Sequence, residues 1–318
     1  MGNLPKDRFV STRPFVNAGV DYCGPFFIKE RKFRNRNKLK IYVAIFICLS
    51  SKAVHLEVVS DLTTEAFCAA LRRFFNRRGK SNLLMSDNAT NFTGANNHLH
   101  ELYQLINSEN HKQLLTKWLG DQEVSWKFIP PRSPHFGGLW EAAVRSFKFH
   151  LIQVMKDTLL TFEQFNTVVI EIETVLNSRP LTPVSQNPED LMALTPSHFL
   201  IGDSLYSVPE PDFTTTPTNR LSVWQHVQKI KRDFWNRWHK EYLNELNQRS
   251  KWKSQENNIQ IGLVLVKEDN MPPLRWPLGR IVELHPGSDN VIRVVTIKTV
   301  TGLYKRNVRA LALLPIEY

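Results

Sequence analysis

Long apolar runs are the first thing this 318-residue chain lacks. Its most hydrophobic stretch, IYVAIFICL at 41–49, is too short to cross a bilayer, and no N-terminal segment has the layout of a secretory leader. Cysteine is scarce: Cys23, Cys48 and Cys68 are an odd number with no CxxC spacing. That argues against a disulfide framework or a cysteine zinc site and fits a reducing compartment. Acid is in deficit, with 30 Asp and Glu against 41 Lys and Arg, a net charge of +11. The expectation is a soluble intracellular protein, neither secreted nor membrane-bound. Its partner should be a polyanion, nucleic acid first, because clustered Lys and Arg bind phosphates through charge and counterion release. Up to residue 210 there are 24 basic and 20 acidic residues, and beyond it 17 and 10, so the excess is +4 and then +7.

With 42% hydrophobic residues the chain can bury a sizeable core, and its length predicts two folded units and a connector. Residues 15–28 read as a buried strand and 40–49 as its hairpin partner. Between them, Lys29 to Lys40 holds seven basic residues and one acid, the pattern of a solvated hairpin tip. A third strand at 53–59 leads into Thr63-Thr64-Glu65, helix-start chemistry ahead of AFCAALRRFFNRR. Strand 83–85, helical sequence at 94–119, strand 124–130 and helices at about 138–156 and 162–178 follow. A hairpin meander followed by alternating helix and strand predicts a mixed α/β sheet with helices on its faces and the first strand central.

Three acids stand where an apolar strand or a helix start meets a loop: Asp21 in GVDYCGPF, Asp87 in LLMSDNATNF and Glu141 in SPHFGGLWEAAVRSFK. In the expected topology Asp21 and Asp87 lie on neighbouring strands and Glu141 approaches from a helix. Hard oxygen ligands suit Mg²⁺ or Mn²⁺, and two ions about 3.5 to 4 Å apart stabilise the attacking and leaving oxygens of a phosphodiester with no protein nucleophile. Any single aspartate after a strand is more often a turn or cap residue, so the trio has weight only as an ordered set.

GVDYCGPF, SDNATNFTGA and IPPRSPHFGGLWEAAVRSFK together resemble the catalytic core of retroelement integrases, most closely those of Bel/Pao-type LTR retrotransposons. LNSRPLTPVS at 176–185, TPSHFLIGD at 195–203 and the segment from WPLGRIVELHPG to KRNVRAL are similar to the C-terminal region of that family. The resemblance implies an RNase H-like five-stranded sheet and a D,D,E triad falling on Asp21, Asp87 and Glu141. Two Mg²⁺ (or Mn²⁺) ions would be the cofactors, with no small-molecule cofactor. The implied reaction is metal-dependent 3′-end processing followed by strand transfer of element DNA into target DNA, by a homo-oligomer, in the nucleus or otherwise the cytoplasm. The 53 residues between Asp87 and Glu141 exceed the retroviral spacing and fit a helical insertion around 94–119. The paired His and Cys of an N-terminal zinc module do not precede Asp21, so the chain is expected to be a module of a longer polyprotein or a truncated or host-retained copy. The alternatives are a non-catalytic DNA- or chromatin-binding remnant and an RNase H-like nuclease without strand transfer.

Arg145 and Lys148 fall four and seven residues after Glu141, on about the same helix face, where a basic stripe would meet DNA; a Glu141–Arg145 salt bridge is the competing reading. The resemblance leaves a DNA contact open for Asn88. His135 is given no catalytic role, and Trp140 is read as core. The domain plan is a tail at 1–12, the core at 13–182, an extended Pro- and Thr-rich connector at 183–219, a basic amphipathic helix at 220–255 and a barrel at 256–318. On the helix, Lys231 and Arg232 are candidate DNA contacts, while Trp224 is expected to pack on the helix's own core. Short β-type runs separated by turn signals predict a small five-stranded, Src-homology-3-like barrel. There Arg280, Arg293 and Arg306 are the chosen phosphate contacts among a set that includes Arg275, Lys298, Lys305 and Arg309.

Overall fold

The computed structural model describes residues 13–30, 37–86, 113, 120, 124–128, 134–155, 158–185, 187, 189–206, 209–253 and 259–315; the side chains of 128, 134–143 and 248–253 are outside the description. The chain forms two compact units, residues 1–176 and 177–318.

In the first unit β1 (Asn17–Lys29), β2 (Lys38–Cys48), β3 (Val54–Val59), β4 (Leu83–Ser86) and β5 (Ser125–Phe128) form one sheet in the order β3-β2-β1-β4-β5. β1 pairs antiparallel with β2 and parallel with β4, and β4 pairs parallel with β5. This is the RNase H-like order expected from the sequence, with β1 at the centre. Val20, Tyr22, Cys23, Phe26 and Ile28 of β1 are all buried, the near-continuous pattern of a strand covered on both faces. Helices α1 (Thr64–Arg78), α2 (Pro134–Met155) and α3 (Phe162–Asn177) supply the cover. The Thr63 hydroxyl accepts from the Ala66 N–H and caps α1. Gly79 ends the helix at φ 84°, where a side chain would be strained and would meet the Arg13 guanidinium. On α2 the buried residues Val144, Phe147, Leu151 and Met155 recur every three to four positions, so one stripe faces the core.

β3 is an edge strand, yet all six of its residues are buried. Side chains seal its free edge: Glu173 of α3 accepts from the Leu56 N–H at 2.8 Å, and Arg73 of α1 donates to the Val58 carbonyl at 2.9 Å. Behind them His55 lies 3.0 Å from Glu57 and 3.3 Å from Glu173, and Arg73, Arg77 and Arg78 close the network. Burial pulls the His55 pKa down and so does Arg78, but hydrogen bonds to Glu173 and Glu57 outweigh both, and the net shift is upward.

The second unit begins with a hairpin, β6 (Thr182–Pro183) against β7 (Ala193–Leu194), and α4 (Pro196–Ile201). Where an extended connector is expected at 183–219, the chain therefore holds ordered elements. Arg280 fastens the hairpin loop, donating to the Asp190 carbonyl at 2.8 Å and the Ser185 carbonyl at 3.1 Å. α5 (Val223–Lys253) is capped reciprocally by Ser222 and Gln225. It buries Val227, Ile230, Phe234, Trp235, Trp238, Tyr242 and Leu246 along one face. Trp224 departs from expectation: it lies one turn ahead of Val227, where the buried stripe begins, and is 59% exposed.

β8 (Leu263–Val266), β9 (Leu278–Pro286), β10 (Ile292–Thr299), β11 (Gly302–Asn307) and β12 (Leu311–Leu313) form a sheet in the order β11-β10-β9-β8-β12. A four-strand meander whose fifth strand returns beside the first is the arrangement of an Src-homology-3-like barrel. Val264, Val266, Ile281, Val295, Ile297 and Leu311 fill its core.

The raised His55 pKa has a defined consequence. A histidine whose pKa is higher when folded stabilises the fold fully below its ordinary value near 6.5 and loses that contribution as pH rises through the folded value. Urea unfolding should therefore show stability falling above about pH 6.5. His55→Gln should flatten that slope, and an unchanged slope would exclude His55 as its source.

Candidate metal and nucleic-acid site

Asp21 stands at the middle of β1, opposite Ile45 of β2. Its Oδ1 accepts from the Tyr22 N–H at 2.7 Å, and its Oδ2 accepts from Lys148 Nζ at 2.7 Å. The Asp21 side chain is 30% exposed and that of Lys148 25%, so the pair is half-buried. The flanking side chains contribute no acid–base chemistry near neutral pH: burial lifts the Tyr22 phenol well above its ordinary range and pushes the Cys23 thiol up to about 12. All three cysteines are free thiols.

On the other side of β1, the parallel register pairs Asn17 with Leu83 and Val20 with Ser86. Ser86 ends β4, and Asp87, next in sequence, lies outside the described residues with Asn88. Glu141 is on α2, seven residues before Lys148. Seven residues are close to two helical turns, so the two backbone positions share a side of the helix and stand about 10 Å apart along it. The side chains of Glu141 and Trp140, and His135 with them, are outside the description. Arg145, between Glu141 and Lys148 on α2, is exposed. Among the described residues no three His, Cys, Asp or Glu side chains gather as a metal cluster. The feature with no sequence signal is the Lys148–Asp21 bond, because its partners are 127 positions apart.

The basic candidates of the second unit divide sharply. Lys231 is buried and pairs with Glu210 at 2.9 Å, and Arg232, with a 13% exposed side chain, pairs with Asp212 at 2.9 Å. Arg280 is buried under the hairpin loop it fastens. These three expected DNA contacts are paired inside the unit, since alternation along a helix or strand does not say which face a neighbouring segment will cover. Lys298 is likewise paired, with Glu189. Arg293 is 61% exposed and bidentate to Asp289, whose carboxyl it holds down to about 2. Arg306, on edge strand β11, lies 5.2 Å over the Tyr304 ring, with Lys305 and Arg309 exposed beside it.

Fold and site together describe a protein with an RNase H-like α/β unit, a carboxylate on its central strand and a helix–sheet unit with a basic edge. A model described as a family of unknown function, DUF5641, matches residues 222–314, which run from the cap of α5 to the end of the second sheet. No curated protein matches the chain. Among solved structures, the chain is similar to one in the cryo-EM structure of the simian T-cell lymphotropic virus intasome in complex with PP2A regulatory subunit B56 gamma. Identity is 11% and the TM-score 0.38, over 100% of this chain and 85% of that one. Likeness at that level decides nothing about the chemistry. Among the described residues no helix is long and apolar enough to cross a membrane.

Two substitutions separate the buried from the exposed cations. Arg280→Ala should lower stability by about 2 to 3 kcal/mol, because it strands two carbonyls it now satisfies. Lys148→Ala should cost under about 1 kcal/mol, as partly exposed pairs do. Chemical denaturation of both variants checks the contrast, and equal losses would contradict these placements.

Proposed function

We propose that the chain is a metal-dependent polynucleotidyl transferase of the retroelement integrase type, of the Bel/Pao kind by its motifs. It would process the 3′ ends of element DNA and join them to target DNA. The observation that supports this best is the bond between Asp21 and Lys148: a cation already sits 2.7 Å from the central-strand carboxylate, supplied by the helix that carries Glu141. Three carboxylates would be a donor set of hard oxygens, the kind that Mg²⁺ and Mn²⁺ take. Asp21, Asp87 and Glu141 would hold two ions. When bound, these ions supply charge stabilisation to the phosphodiester oxygens.

The protein's own residues perform the remaining work. The Tyr22 N–H orients Asp21 by holding Oδ1, which leaves Oδ2 for a cation. Lys148, once displaced from Asp21, is positioned to take a DNA phosphate entering the site, and Arg145 extends the same basic stripe along α2. Arg306, Lys305, Arg309 and Arg293 of the second unit supply further phosphate contacts, and Asn88 a contact beside Asp87. Assembly as a homo-oligomer on DNA, in the nucleus, belongs to the same reading. The exposed basic edge of β11 also favours a second reading, a DNA- or chromatin-binding protein without catalysis.

A Mg²⁺-dependent strand-transfer assay on DNA ends tests both. Joined product should form with the unaltered chain and fall at least about a hundredfold in Asp21→Asn and Asp87→Asn, the scale on which loss of a charge-stabilising group acts. Cutting without joining would reassign the chain as an RNase H-like nuclease. DNA binding indifferent to both metal and mutation, with no product, would leave only the non-catalytic reading.

A further inference from the structure

A second group of charged side chains in the first unit lies apart from Asp21. Asp21 pairs with Ile45 and Ile45 with Leu56, so Glu57, the next residue along β3, leaves the sheet on the opposite face. Glu57 is 4% exposed and accepts from two of the four arginines of α1, with Arg73 Nε at 2.6 Å from Oε2 and Arg77 Nη1 at 3.2 Å from Oε1. The arginines themselves are 42% and 54% exposed. They line a half-open cleft of about 270 Å³ together with Ala69 of α1 and Phe162 and Asn166 of α3.

Arg73 and Arg77 are four residues apart on one helix, where like charges are neighbours and repel. One carboxylate between them holds both guanidiniums in place but neutralises only one. Each keeps unbonded N–H groups, because Glu57 takes one from each and the Val58 carbonyl one more from Arg73. A planar pair of donors with surplus charge matches a group with several acceptor oxygens and more than one negative charge. Ala69 leaves the wall of the cleft low, and Phe162, 50% exposed, offers an aromatic face to whatever the anion is attached to.

We propose that this cleft binds a phosphate group, carried by a small phosphorylated molecule or by a polynucleotide backbone, at a site separate from the carboxylate centre. The proposal does not depend on the transferase reading. It is tested on the full chain in metal-free buffer. Pyrophosphate and a mononucleotide are titrated calorimetrically, and a labelled single-stranded oligonucleotide is followed by anisotropy. Arg77→Gln should weaken binding about tenfold, the loss expected from one charge-assisted hydrogen bond. Ala69→Glu, at an exposed position outside the Glu57 network, should weaken it at least as much without unfolding the chain. Arg72→Gln, exposed on the same helix but outside the cleft, should leave it unchanged. Losses with pyrophosphate and the mononucleotide assign a small phosphorylated ligand, and losses with the oligonucleotide alone assign the backbone; either sustains the proposal. Failure of the unaltered chain to bind any probe, unchanged affinity in both cleft variants, or an equal loss in Arg72→Gln overturns it.

Discussion

The first unit is organised by one constraint: β1 forms ladders on both sides, antiparallel to β2 and parallel to β4. A strand bonded on both edges and covered on both faces has no freedom of register, since a slip of one residue would move every side chain to the opposite face and break the packing of both layers. That rigidity fixes Asp21 in space. It also fixes the end of β4, because Val20 and Ser86 are register partners. A carboxylate on such a strand is held by the whole sheet, which is what a preorganised charge site requires.

The β3 edge of the first sheet and the β11 edge of the second are treated in opposite ways. β3 would expose N–H and C=O groups to any passing strand, and Glu173 and Arg73 occupy them. Sealing that edge concentrates charge there, and the buried His55–Glu57–Glu173 network is its inner layer. Arg73 and Arg77, the outer layer, face solvent, so one arrangement both closes the sheet and creates a cleft with surplus positive charge. On β11, at the edge of the second sheet, Lys305 remains exposed and Arg306 half-buried.

Charge counting and charge placement part company in the second unit. The excess of seven positive charges beyond residue 210 is a fair guide to a polyanionic partner, but Lys231, Arg232 and Arg280 spend theirs on Glu210, Asp212 and the carbonyls of the hairpin loop. A buried arginine that satisfies backbone carbonyls is an architectural part, and its removal is felt in stability. Among the cations left outside are Lys305 on β11 and Arg309 just past its end, beside the half-buried Arg306, to which Tyr304 adds an aromatic face.

Strand alternation, apolar periodicity and capping residues are local properties, so the α/β class, the order of strands and helices, the amphipathic helix and the five-strand run were legible from the residues alone. Asp21 was legible too, because an acid inside a buried apolar strand stands out against its neighbours. Contacts distant in sequence were not. Nothing in the vicinity of Lys148 announces Asp21, nothing near Arg280 announces the loop at 185–190, and Glu57 reads as an ordinary strand acid until α1 brings two guanidiniums to it. The residue order by itself determined which segments become strands and helices and that the chain is basic. Only the tertiary structure decided which charges face inward, because that depends on which segments pack over them, and packing between distant segments leaves no periodic trace in a single sequence.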